Sequence, residues 1–296
     1  MNALADADPE TMRISIDTKA TVNVGEYSRG GRSRGVEAVK ALDHDMCLKE
    51  KLVPGGILEP VTGRSFLFFG TSYKTSDFIV DGLLLWWEER KQEFCGLKQL
   101  VINVDNGPEC SGRRTQFLFR LTEFADMTGL CIRIIYYPPY HSKYNSIERY
   151  WAGLEKSWNG YLLDTVETVL KRAGNFFWKG LRTVTRLLDT PYEKGIKVCG
   201  DEKTDLEQRL QRSPVLHWWD ITISPKTVNL QFLYPLFITT GTFTSAAVKE
   251  ATRDGAPPID LVDGEQLAEK LKEFQLGINT QMIEKVTIDK EWFTNL

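Results

Sequence analysis

The chain has 296 residues, 42% hydrophobic and 26% charged, with a formal charge of −3. That composition suits a folded globular protein with ample core, in one large domain or two smaller ones, and it excludes extensive disorder. No apolar run approaches the roughly 18 residues of a membrane span, so no membrane partner is expected. Five widely separated cysteines without a CxxC pair, and only three histidines, give neither a zinc site nor a disulfide framework. The acidic, polar start MNALADADPETM reads as a disordered leader over residues 1–12 and carries no signal or transit peptide, so the cytoplasm is the expected location.

The charge is uneven. Residues 247–296 hold ten Asp/Glu against six Lys/Arg, which leaves the rest of the chain at about +1. Basic clusters lie at Arg29, Arg32 and Arg34, at Arg113, Arg114 and Arg120, and from Lys171 to Arg186. They suit phosphate neutralisation, and equally an ordinary solvated surface.

In chain order, Arg13–Thr18 and Ala20–Val24 read as strands, the first alternating around Ile14 and Ile16. YSRGGRSRG is a loop, and Ser65–Phe69 a short apolar strand. Ser76–Phe94 is a helix candidate capped by Ser76, with Ile79, Leu83, Trp86 and Trp87 on its apolar face. Strand Gln99–Val104, a DNGPE turn, helix Thr115–Thr128 closed by Gly129, and strand Cys131–Tyr136 follow. A helix runs from Ser146 toward Trp158, with helical segments over Asp164–Ala173, Leu181–Leu188 and Asp205–Arg212, then a strand over Trp218–Ile223. Beyond about residue 230 the order strand, helix, Gly/Pro turn, strand, helix describes a small βαβα unit.

Three acids stand at element ends. Asp17 lies at the end of the first strand, Asp105 just after LVINV, and Glu148 in the first turn of the helix from Ser146. Two divalent cations roughly 3.5–4 Å apart, held by carboxylate oxygens, are what phosphoryl transfer uses. Each acid also has a plain reading: Asp17 finishes a strand, Asp105 opens an Asp-Asn-Gly-Pro turn, and Asn145 with Glu148 fits a capping box.

The runs RISIDTKATV, YSRGGRSR, DHD, TSDFIVD, LVINVDNGPE, RRTQF, EFADMTGLCIRIIYYPPYHSKYNSIERYW, WNGYLLDTVETV and LQRSPVLHWWDI occur in order and resemble the DDE transposases of the ISAzo-type insertion sequences. The likeness spans residues 13–229. It implies an α/β, RNase H-like mixed sheet with flanking helices. It also implies that Asp17, Asp105 and Glu148 are the catalytic, metal-binding triad. Mg²⁺ would be the cofactor (Mn²⁺ able to substitute), transposon-end and target DNA the partners, and a homodimer the working form. His141, Lys143 and Asn145, just before Glu148, are candidates to contact DNA phosphate or to orient Glu148, and Arg113 with Arg114 are further candidate DNA contacts. The aromatic set Tyr136, Tyr137, Tyr140, Tyr144, Tyr150 and Trp151 reads as packing in preference to base stacking. Ser146 stands where this family usually has Pro. The helix-turn-helix expected before the catalytic region has no counterpart, so an N-terminally truncated transposase is expected.

The tail runs FITTGTFTSAAVKEA, IDLVDGEQLAEKLKEFQLGI and MIEKVTIDKEWF resemble the latter half of an Mrr-type restriction endonuclease domain, over about residues 232–296, and the corresponding domain is placed at 230–296. The acidic residue and Gln/Glu-x-Lys strand of that family are missing from Cys199–Gln231, so the tail is expected to lack catalysis. Alternatives to the transposase are therefore an Mrr-like endonuclease cutting modified DNA, and a DNA-binding fusion remnant without turnover.

Overall fold

The computed structural model describes residues 1–32, 40–42, 50–137, 144–226, 236–253 and 259–273. It divides into two units, residues 1–226 and 227–296.

The first unit opens with helix α1 (Asn2–Ala7) and strand β1 (Thr11–Thr18). The leader is thus ordered over most of its length, contrary to expectation. Asp6 forms a two-pronged ion pair with Arg13 at 2.7 Å, and Asn2 accepts from the buried Asn103 amide at 3.3 Å. A bidentate guanidinium–carboxylate pair is among the stronger polar contacts.

Strand β2 (Val22–Val24) is followed by β3 (Glu50–Leu58) and β4 (Ser65–Gly70). Helix α2 (Ser76–Arg90) is capped by Thr75, whose hydroxyl accepts from the Phe78 N–H at 3.2 Å, one residue before the expected cap. It ends earlier than predicted, in a 3-10 turn at Lys91–Glu93. Strand β5 (Gln99–Val104), helix α3 (Thr115–Thr128) and strand β6 (Cys131–Tyr136) have the predicted bounds. Gly129 closes α3 at φ 71°, a left-handed conformation that glycine adopts without steric cost.

Helices α4 (Ser146–Trp158) and α5 (Val166–Gly174), the hairpin β7 (Phe177–Trp178) and β8 (Leu181–Arg182), and β9 (Val184–Leu188) come next. Helix α6 (Gly200–Arg209), β10 (Leu210–Arg212) and β11 (Asp220–Ile223) complete the unit. Residues 181–188 are strand, not the helix expected. The apolar spacing of Leu181, Val184 and Leu188 mimics a helical face, but the β-branched run Thr183-Val184-Thr185 favours extended backbone, and β9 pairs parallel with β4.

Among the described residues the main sheet has nine strands, in the order β10-β11-β6-β5-β1-β3-β4-β9 with β2 on β3. Strands β4, β3 and β1 form an antiparallel meander, and β1, β5 and β6 run parallel. This is the RNase H-like arrangement of a mixed sheet flanked by helices. One layer of core, including Ile14, Ile16, Phe68, Ile102 and Phe117, packs α2 and α3 on one face. A second, including Leu52, Leu67, Tyr150, Trp151 and Leu154, packs α4 on the other.

The second unit holds β12 (Leu236–Ile238), α7 (Ser245–Ala251), β13 (Asp260–Val262) and α8 (Gly264–Glu273), with β12 and β13 parallel. The predicted βαβα order is the one found. Reciprocal bonds cap α8: Asp263 Oδ1 accepts from the Gln266 N–H at 2.9 Å, and Gln266 Oε1 accepts from the Asp263 N–H at 3.2 Å. No described helix is long and apolar enough to cross a membrane.

Candidate active site

Side chains on a strand alternate between faces, so Ile14 and Ile16 enter the α2/α3 core while Ser15 and Asp17 turn toward α4. The parallel register pairs Ser15 with Asn103. Two residues further along each chain lie Asp17 and Asp105, at the same end of neighbouring strands, whose spacing is about 4.8 Å. The third acid arrives on α4, which is tied to β1 on both sides of it. Before Glu148, the Ile147 N–H donates to Ser15 Oγ at 3.2 Å, and the Ser15 hydroxyl bonds Asn145 Oδ1. After it, the Trp151 indole N–H donates to Asp17 Oδ2 at 3.0 Å. Glu148 sits between the two ties.

The charges register this convergence. Asp17 is pushed up to about 7, first by burial and then by the negative charges of Asp105 and Glu148; the Thr18 N–H and the Trp151 indole act against the rise. Burial also raises Glu148, with Lys19 lowering it and Asp105 raising it. Lys19 is itself engaged by Glu155 at 3.0 Å. The acids therefore sense one another, but among the described residues no three His, Cys, Asp or Glu side chains are drawn into a closed coordination set. Beside the acids, the buried Cys110 thiol donates to Asp105 Oδ1 at 3.4 Å, and its backbone carbonyl accepts from the Tyr136 hydroxyl at 2.8 Å.

The other sequence candidates fare unequally. Arg113 is exposed, its guanidinium 5.0 Å from the Trp218 ring centroid, with Arg212 at 4.6 Å from the same ring. Arg114 turns partly inward: one terminal nitrogen reaches the Ile196 carbonyl at 3.5 Å, and Nε is buried without a partner among the described residues. It lines a cavity of about 290 Å³ with Lys74, Glu109 and Lys194. Asn145 is only 1% exposed; its Oδ1 accepts from the Ser15 hydroxyl and so ties α4 to β1, while its Nδ2 is buried without a partner among the described residues. Its side chain does not cap α4 as a capping box requires; the capping oxygen comes from Ser15. His141 and Lys143 lie outside the described residues, as does Tyr140. Tyr136, Tyr150 and Trp151 are core residues, whereas Tyr144 is exposed.

Sequence reasoning missed Ser15, Trp151 and Cys110 as partners of the acidic site. Ser15 shares the parity of Asp17 on β1, and Trp151 follows Glu148 by three, one helical turn; those were the available signals.

A model of the Rhodopirellula transposase DDE domain matches residues 2–225. The chain belongs to that family. The match begins inside the leader, so the DDE domain takes in α1 as well as the residues from 13 onward. A restriction endonuclease model of the Mrr type matches residues 229–271 of this DDE transposase family member. No curated protein and no solved structure matches the chain.

Proposed function

We propose that this DDE-family chain cleaves DNA strands and transfers the freed ends, with Asp17, Asp105 and Glu148 holding two Mg²⁺ ions for which Mn²⁺ substitutes. The observation that carries this reading is the meeting of acids from three elements: Asp17 and Asp105 follow paired positions of neighbouring parallel strands, and Glu148 lies on α4 between its ties to Ser15 and Asp17, a set of carboxylates that hard divalent cations suit. The donor set fits such ions, being all carboxylate oxygen. When bound, the cations polarise the scissile phosphoryl group and favour the deprotonated form of the attacking hydroxyl.

The chain's own part is positional. The Ser15–Asn145 and Asp17–Trp151 ties fix Glu148 opposite Asp17 and Asp105. Arg113, backed by Trp218, offers an exposed cation to a backbone phosphate. Water displaces the 3′-oxygen at phosphorus, that oxygen leaves as a hydroxyl, and the hydroxyl then displaces the 3′-oxygen of a target phosphodiester. Paired ends would bring two copies together, so a dimer is the proposed working form.

The test is nicking and strand joining with Mg²⁺ or Mn²⁺. Asp105→Ala is expected to abolish both, with a loss of at least about 10³-fold, the scale of a lost charge-stabilising group. Cleavage that depends on methylated DNA and survives Asp105→Ala would instead assign the activity to the Mrr-like tail. DNA binding without turnover under either metal would mark a fusion remnant.

A further inference from the structure

We infer that Trp151 is a positioning residue for the acidic site, its indole N–H holding the Asp17 carboxylate in place to receive a divalent cation. The inference rests on the three-acid reading above. Trp151 lies one turn past Glu148 on α4, so one helix delivers both an acid and the donor that fixes another acid. The indole is 2% exposed and packs edge-on against Tyr150, with centroids 5.7 Å apart.

The slot for that ring is built by the strand opposite. Gly56 on β3 pairs with Asp17 across the sheet. A Cβ at Gly56 would fall 2.9 Å from Trp151 Cζ2 and Cη2 and 2.9 Å from Leu67 Cδ2. Only glycine at the position facing the acid leaves room for the indole to reach it.

Packing alone does not account for the bond. Trp158 and Trp178 are also packed against this core, and their buried indole nitrogens have no partner among the described residues. Phe at 151 would fill most of the same volume; what it lacks is the donor. A hydrogen bond to a cation-binding carboxylate fixes its rotamer before the ion arrives, and losing such an outer partner typically weakens metal binding by about 10–100-fold.

The experiment is Mn²⁺ titration of the full-length protein, following free Mn²⁺ by electron paramagnetic resonance, with melting temperature recorded for each variant. Trp151→Phe is expected to bind Mn²⁺ about tenfold more weakly. Gly56→Ala, which pushes the ring from its slot, is expected to do the same and supplies the reading if Trp151→Phe fails to fold. Tyr150→Phe removes a hydroxyl that bonds Thr183 Oγ1 at 2.9 Å in the same cluster, and is expected to leave Mn²⁺ affinity unchanged. Wild-type affinity in both Trp151→Phe and Gly56→Ala, with binding lost in Asp105→Ala, overturns this inference alone. Equal weakening in Tyr150→Phe also overturns it, because general packing would then be the cause. Failure of the wild type to bind, or binding that survives Asp105→Ala, removes the three-acid reading and this inference together.

Discussion

Asp17 is the residue at which stability and function pull apart. Its carboxyl is held near 7 against an ordinary value of 3.8, because burial and the two neighbouring acids disfavour the charged form. Between about pH 4 and 7 the folded chain therefore keeps a proton that the unfolded chain has lost. Stability conferred at low pH declines as pH rises through that window, and is level above it. Burial raises Glu148 in the same direction. In EDTA, Asp17→Asn is expected to melt higher than wild type at pH 8, by roughly 1–3 kcal/mol, with the difference nearly gone at pH 4. Calorimetry at the two pH values decides it, and equal melting at pH 8 would refute the frustrated-site account. The same variant should lose strand cleavage. Ser15 tests the tie itself: Ser15→Ala leaves the Ile147 N–H without its acceptor, and is expected to cost about 1–3 kcal/mol in urea unfolding. Asn145 was legible from sequence as the residue before α4, but the capping oxygen was not. It comes from a strand 130 positions away, and no local pattern encodes that.

At the scale of elements, strongly periodic segments with clear stop signals were readable: β5, α3, β6 and α4 have the bounds that apolar pattern and Gly129 suggest. Strand β3 was not. Its centre reads Pro54-Gly55-Gly56, a turn by composition, yet it is buried and pairs on both edges. The glycines are there for clearance. A Cβ at Gly55 or at Gly82 on α2 would run into the same Phe68 ring, which is fully buried between strand and helix. Sequence alone cannot reveal a glycine required by an aromatic ring from elsewhere, so the predicted strands pass from Ala20–Val24 to Ser65–Phe69 without β3. The close approach predicts that Gly55→Ala and Gly82→Ala each lose about 1–3 kcal/mol in urea unfolding. The double variant should lose less than the two losses added, since one displacement of Phe68 relieves both clashes. Strict additivity would mean that the two contacts are independent.

The chain joins a unit built on a nine-stranded sheet, as counted in the described residues, to a small second unit. Every strand of the nine-stranded sheet lies at or before Ile223, and neither core layer of the sheet draws a described residue from beyond that point. The family match to the DDE domain likewise ends at residue 225, and the restriction endonuclease match begins at 229. The first unit thus has its own hydrophobic layers, and its acids come from β1, the β5 loop and α4. A chain ending at Lys226 is therefore expected to keep a single cooperative unfolding transition within about 2 °C of its counterpart in the full chain, since both hydrophobic layers lie within the first unit among the described residues. It should also retain Mn²⁺ affinity and cation-dependent nicking. The second unit's βαβα segment has two parallel strands only, too small a sheet to be stable by itself in the described residues. If removing it collapses the transition or abolishes Mn²⁺ binding, then the tail completes the transposase fold, and the junction near residue 226 is not a domain boundary in the energetic sense.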